Sequence, residues 1–463
     1  MGTAHLSTSP RAIWQLTWPQ MTMMLCFFGM GLCDVWTAGR IDGTVQAAFG
    51  LVSQYLMLLQ VLVIAMSSGA MASISQSLGA GQARRARRYV CLTLALALAM
   101  GLGVALLAHV CRHGLFALVA TPEAVLPVAL SYWGVSLLTL PASYVFAAAG
   151  TVFRASREVM PPLYVAALMA MGNVFGNLGF GLGYFGLPNC GYLGIAWTTF
   201  TCTLLGAVGS CAILWRMGLL RHGDIPPWRW IRRGAPYLVK VALPAGAASL
   251  VWHSGYTVLF AIVASLPVDS VNALAGTTAG NRAEALLFLP GMAFNMTTAV
   301  MVGNCLGAGE PHKARRVALR IGLAGSAVMS LVAALLWPLI PWMGGVLAGN
   351  AAVHAITVEY LRYNFLATPF SLCSVIWGGA MSGAGATRYN LMVYGTTFWF
   401  VRLPLAWYLG HVLWRSAEGV FVAMLLSQML QSSVMLVVLL KANWTRFAMH
   451  HRRTAHAAGR THT

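Results

Sequence analysis

Acidic side chains are scarce in this chain: ten Asp and Glu stand against 29 Lys and Arg in 463 residues. Charged residues of either sign amount to 8%, hydrophobic ones to 59%, and the mean hydropathy is +0.72. So few polar groups cannot cover a water-soluble domain of this length, which excludes a soluble enzyme or binding module. Short strands of alternating apolar and polar residues are absent too, and with them a membrane β-barrel. There is no CxxC pair. The nine cysteines are scattered through apolar stretches, predicting inert thiols with neither a disulfide framework nor a metal site. A GxxxxGK[ST] loop, a soluble region large enough to hydrolyse ATP, a filter motif and a charged ring are all missing, so neither an ATP-driven pump nor a channel is indicated. No cofactor is expected.

What the chain does have is apolar runs of about 20 residues or more, recurring almost throughout, as bilayer-spanning helices require. They predict an all-α membrane protein of twelve helices, at 13–37, 46–78, 89–110, 123–150, 162–184, 191–217, 236–265, 271–306, 317–343, 353–381, 391–413 and 418–441. The second and eighth look unusually long, which suggests tilt or protrusion. A formal charge of +19 invites a nucleic-acid reading, but its distribution argues against one. With the amino terminus inside, all but six of the Lys and Arg fall at the cytoplasmic ends; the six are Arg40, Arg112, Arg415, Arg282, Arg362 and Arg402. The positive-inside rule then places both termini in the cytoplasm. The first apolar segment lacks a convincing cleavage site and reads as a retained helix.

The chain also repeats itself. "SQSLGAGQARRARR" runs from Ser75 to Arg88 and "GNCLGAGEPHKARR" from Gly303 to Arg316, with Leu78 and Leu306 lying 228 residues apart. The same offset relates Tyr132 to Tyr360, Pro141 to Pro369 and Gly150 to Gly378, without a gap. Conserved spacing of Pro, Gly and a basic run together predicts two homologous six-helix lobes, residues 1–217 and 236–441. They are joined by a polar cytoplasmic linker at 218–235 and followed by a basic cytoplasmic tail at 442–463. Because six is even, the halves form a parallel repeat about an axis along the membrane normal, as in secondary transporters that rock around a central cavity. The driving force must then be an ion gradient or the substrate's own.

These residues carry a resemblance. The two LGAG-plus-basic hinges, "GTVFRASREVMPP", "GAMSGAGATRYN", "GYLGIAWTT" and "WPQ…GLCDVWTAGRIDG" together resemble the multidrug and toxic compound extrusion (MATE) family along essentially the whole chain. The resemblance implies two lobes, alternating access, and export of organic, often cationic or aromatic compounds in exchange for H⁺ or Na⁺. It points to a bacterial inner membrane. The expected partners are a small organic substrate, H⁺ in preference to Na⁺, and membrane lipid, with the chain acting as a monomer. A flippase for a lipid-linked precursor, built on a related two-lobe plan, is the alternative. A receptor or scaffold is a third reading that no residue favours.

Among the ten acids only Asp34 and Glu284 lie well inside predicted helices. A carboxylate in hydrocarbon costs on the order of 3 kcal/mol, so it persists where it faces a polar cavity or works. Asp34 is therefore the first candidate, as the group that exchanges a proton, Na⁺ or a cationic substrate, unless it merely pairs with Arg40. The family carries an aspartate at this place, with a proline fifteen residues earlier; Pro19 stands there and would hinge the helix. Asn173 and Asn177, spaced i, i+4, share a helix face. With Thr198, a better match than Thr199, they fall where the resemblance places the polar partners of a cation site. Some members carry a second acid at the position of Asn177, and others carry acids in helices seven and ten. Here those two regions hold Trp252, His253, Ser371 and Ser374, which assigns coupling to the first lobe. Glu284 either serves a cavity of the second lobe or pairs with Arg282 or Arg362. His253 is a candidate proton carrier. Trp14, Trp18, Trp36, Tyr55, Trp252, Tyr256 and Phe288 are candidates for stacking on flat organic cations, or else lipid-facing anchors and packing residues.

Overall fold

The computed structural model describes residues 8–118 and 122–449. Residues 1–7 and 450–463, to which the expectation of cytoplasmic termini and most of the basic tail belong, lie outside the described residues. Among the described residues, helix follows helix: α1 (Pro10–Ile41), α2 (Gly43–Gly79), α3 (Ala83–Val110), α4 (Leu126–Ala155), α5 (Met160–Gly181), α6 (Gly191–Arg216), α7 (Trp228–Ala264), α8 (Ser270–Gly307), α9 (Pro311–Leu347), α10 (Ala351–Ala384), α11 (387–413) and α12 (Ala417–Lys441). All but α11 are long and apolar enough in one piece to cross a membrane. α11 is helical throughout but carries two π turns, at Phe398–Arg402 and Tyr408–Leu413.

Length does not single out the second and eighth helices. α2, α7, α8 and α9 all run 37 or 38 residues. At about 1.5 Å per residue such a helix spans ~55 Å, well beyond a ~30 Å hydrocarbon layer. α7 reaches this length by claiming the second half of the segment expected as linker. Its first turns carry Arg229, Arg232 and Arg233, and Ile231 donates its N–H to the carbonyl of Pro227 at 3.1 Å. Polarity does not break a helix, and the prolines that precede Trp228 suit its start. The rest of the segment turns at Gly218 (φ +69°) and brings the nearly buried Asp224 onto the guanidinium of Arg87, with Arg84 at 4.0 Å. Part of the basic run after the first hinge is thus neutralised.

The duplication is visible in the backbone. After α2, Gly81 takes a left-handed φ of +68°, with Gly81 N–H on Leu78 O and Gln82 N–H on Ser77 O. After α8, Gly309 does the same at φ +80°, with Gly309 N–H on Leu306 O and Glu310 N–H on Cys305 O. These are the paired bonds of a Schellman-type helix end, and they explain the glycine hinge written twice. The ends of α4 and α10 match in the same way. Arg157 (φ +64°) bonds to Arg154 O, and Gly385 (φ +74°) to Ser382 O, again 228 residues apart.

Small residues set the close packing. Gly379 and Gly383 on α10 lie so near α8 that an added Cβ would stand 2.9 Å from the carbonyl carbon of Asn295 or 2.8 Å from that of Ala299. Such a Gly-x-x-x-Gly seam lets helices associate where no hydrophobic gradient drives them together. At the tightest connection Asp42 alone joins α1 to α2, and its carboxylate accepts the N–H of Thr44 at 3.1 Å. The Thr44 hydroxyl first, and its N–H second, hold the Asp42 carboxyl below the usual carboxylate range.

The helices fall into two compact units. One comprises Trp18–Ser77 and Gln82–Val239; the other comprises Met1–Thr17, Leu78–Gly81 and Lys240–Thr463. The division therefore lies inside α7, not in the segment 218–235. The start of α1 is counted with the later helices, where Thr17 Oγ1 meets Thr297 Oγ1 at 3.0 Å.

Candidate functional site

In the unit built from the first half of the chain, α1 is packed at two levels, against α5 at one and against α2 and α6 at the other. Met23 packs with Leu163 and Ala166, and Ala38 with Val45 and Ile195. Near the second level Gly181 admits Thr37, whose Cγ2 would stand 3.0 Å from a Cβ there. These contacts set Asp34 opposite α5. α5 itself is glycine-rich, "GNVFGNLGFG", and changes from an α-helix to a π turn at Asn177–Gly181. The backbone of Gly194 on α6 approaches the carbonyl of Phe180, which also accepts the N–H of Cys190 at 2.7 Å. π turns inside helices frequently mark functional positions.

Asn177 Nδ2 donates to Asp34 Oδ1 at 2.5 Å, and also lies 3.2 Å from Asn173 Oδ1 and 3.9 Å from Cys33 Sγ. Asn173 Nδ2 in turn donates to Thr199 Oγ1 on α6 at 3.2 Å. Both asparagines are completely buried, whereas Asp34 is half-buried at the edge of this network. Tyr132 on α4 and Cys202 on α6 are near enough to feel the charge of Asp34. Two oxygens in this neighbourhood, Asn177 Oδ1 and Thr198 Oγ1, are buried without a hydrogen-bond partner. The arrangement holds one carboxylate among neutral donors and acceptors, with no cationic side chain paired to it among the described residues.

The structure thus brings together Asp34, Asn173 and Asn177. The hydroxyl that joins them is that of Thr199 instead of Thr198. Thr198 packs on Gly176, its Oγ1 standing 2.8 Å from where a Cβ would be. From the sequence the two threonines differ by one position, and only the rotation of α6 against α5 decides between them. Arg40 does not pair with Asp34; its guanidinium lies 5.1 Å from the Trp36 ring. Tyr55 is not free to stack on a ligand: its hydroxyl donates to Leu115 O at 2.7 Å and its ring packs edge-on to Phe116 and Trp133. α1 runs unbroken through Pro19. Trp36 is largely exposed.

The unit of the second half holds Glu284, the other acid expected deep inside a helix. Glu284 on α8 accepts a 2.7 Å hydrogen bond from Tyr360 Oη on α10. Neither Arg282 nor Arg362 pairs with it, because each sits two residues from one of the bonded pair and so points to the opposite side of its helix; both are exposed. The cation within electrostatic range is Arg402, which ends the first π turn of α11 and is 1% exposed. Its Nε donates to Ser427 Oγ on α12 at 2.8 Å, its plane lies 4.3 Å from the Phe398 ring, and Tyr256 on α7 shares a hydrogen bond with it. Trp252 and Tyr256 both pack against Phe398. The imidazole of His253, half-buried, has no polar partner among the described residues. Phe288 lies one turn beyond Glu284 on α8. Ser374 belongs to a buried chain in which Gln431 Nε2 donates to Ser374 Oγ and Thr397 Oγ1 to Gln431 Oε1.

Comparison with known proteins finds the family model described as MatE matching twice, at residues 19–178 and 244–408. The chain is 22% identical to a probable multidrug resistance protein, NorM, of Thermotoga maritima over 90% of its own length and 89% of that protein. It is 26% identical to the multidrug resistance protein PmpM of Pseudomonas aeruginosa, a match spanning 58% of this chain and 57% of the relative. Among solved structures, the Vibrio cholerae MATE transporter VcmN in its bent form superposes with a TM-score of 0.84. That match has 19% identity and covers 93% of this chain and 96% of the other.

Proposed function

Because the chain belongs to the MatE family of multidrug and toxic compound extrusion transporters, we propose that it is a cation-coupled antiporter exporting organic, often cationic or aromatic compounds by alternating access. It would lie in a bacterial inner membrane with both termini in the cytoplasm. H⁺ is the coupling ion favoured over Na⁺, and Asp34 is the group that carries it. One observation supports this above the rest: a carboxylate within a membrane-spanning helix is held by Asn177, not by an arginine or lysine. A side-chain cation would neutralise it permanently. An amide leaves the charge to be cancelled by whatever arrives.

Deprotonated, Asp34 attracts a cationic substrate from the cytoplasmic side. Protonated from the outside, it loses that attraction, and the hydrogen bond from Asn177 loses its charge assistance. α1 then yields at Pro19, which supplies no N–H to the helix ladder, and the substrate leaves outward. Asn173 orients Asn177 and is itself anchored to α6 by Thr199. Na⁺ is the second reading, since Asn177, whose amide bonds the carboxylate, carries an uncommitted Oδ1. Proteoliposomes with an imposed proton or sodium gradient test the reading. Asp34→Asn is expected to insert normally and to abolish gradient-driven efflux of a cationic dye; normal efflux by that variant overturns the mechanism.

A further inference from the structure

Arg402 has no role in the function described above. It lies in a segment flanked by apolar helices, is 1% exposed, and makes no ion pair within 4.0 Å among the described residues. Its Nε is committed to Ser427, one face of its plane to Phe398, and a further donor to Tyr256. Nη1 is buried without an acceptor. The nearby acid, Glu284, is held instead by Tyr360. A guanidinium buried inside a membrane protein with no direct ion pair and with one nitrogen lacking an acceptor is costly, the acid within electrostatic range being bonded to Tyr360 instead. The π turn that ends at Arg402 interrupts the regular helix at this point.

From this geometry we propose that Arg402 receives an anionic group, a carboxylate or a similar oxyanion, of the transported organic compound, with Tyr256 and Ser427 fixing the plane of the guanidinium. Guanidinium suits this task because its fork matches a carboxylate and it does not lose its proton. The inference rests on the export reading and narrows it: the substrates include zwitterions or organic anions, whose acidic group is recognised in the second-half unit. Glu284 limits the site to anions able to displace its influence. A neutral ester of the same compound therefore lacks the contact.

The test uses full-length protein and two probes that differ only in this group, rhodamine B with its free carboxylate and rhodamine B ethyl ester. Fluorescence anisotropy should show the free acid binding the wild type about tenfold more tightly than the ester, the order expected of one charge-assisted pair. Arg402→Gln should erase the preference and Arg402→Lys should keep part of it. Equal binding of the two dyes by the wild type, or an undiminished preference in Arg402→Gln, overturns the proposal. The wild-type comparison decides even if the glutamine variant fails to fold. Gradient-driven efflux of the ester by wild type, and its loss in Asp34→Asn, tests the export reading separately, so equal dye binding alone sinks only the role of Arg402.

Discussion

Asp34 and Glu284 occupy corresponding halves of a duplicated chain yet live in different company. Asp34 is held by the amide of Asn177, backed by Asn173 and Thr199. Glu284 is held by a tyrosine hydroxyl, with a buried arginine in range. Each half contributes the equivalent tyrosine, Tyr132 near Asp34 and Tyr360 on Glu284, 228 residues apart. Duplication preserved the frame and that aromatic position, while the charge balance diverged. In the first, no cationic side chain pairs with the acid among the described residues, which is the feature the proposed cation exchange rests on; in the second, a buried arginine lies within electrostatic range of the acid without a direct ion pair.

The strongest way to break this contrast is to neutralise each acid in turn. Asp34→Asn should reduce gradient-driven efflux to background, whereas Glu284→Gln should keep its dependence on the imposed gradient. Equal loss of coupling in both variants would erase the distinction. A smaller effect should follow from Asn177→Ala, which removes one charge-assisted hydrogen bond from the first site. Efflux is expected to fall roughly tenfold with insertion unchanged, measured as initial rates in proteoliposomes. Tyr360→Phe withdraws the donor from Glu284 and should lower stability by about 1–2 kcal/mol, read from thermal unfolding in detergent, without removing the response to the gradient. The least change is expected at the paired turns. Gly81→Ala has no atom within 4 Å of the new Cβ, so only its left-handed backbone is strained. It and Gly309→Ala should each cost about 1–2 kcal/mol. Clearly unequal costs would argue that the two turns, alike in hydrogen bonding, are not equivalent in energy.

Much of the architecture was legible because it is written locally. Long apolar runs separated by basic breaks mark every span, with ends that differ by up to eight residues, 236 against Trp228, and glycine at the left-handed helix ends marks the repeat. The expected linker at 218–235 is helical from Trp228 onward, because the polar side chains of "WRWIRR" do not interrupt a helix as the preceding prolines and Gly218 do. Within the first site, Asp34 and the Asn173–Asn177 face could be picked out from scarcity and spacing. The choice of Thr199 over Thr198 could not, since it depends on how α6 is rotated against α5. The pairing of Glu284 with Tyr360 was missed for the same reason. In the sequence Tyr360 stands out only as the repeat partner of Tyr132.

By itself, then, the order of residues determined a membrane-embedded, duplicated helical chain with one conspicuous acid in each half, because hydropathy, proline and glycine act over a turn or two of backbone. Tertiary structure alone decided which partner each acid meets, where the π turns fall and that Arg402 is buried without a direct ion pair among the described residues. Those outcomes depend on side chains from helices far apart in sequence, and a shift of one residue in a helix rotates a side chain by about 100° and changes its neighbour.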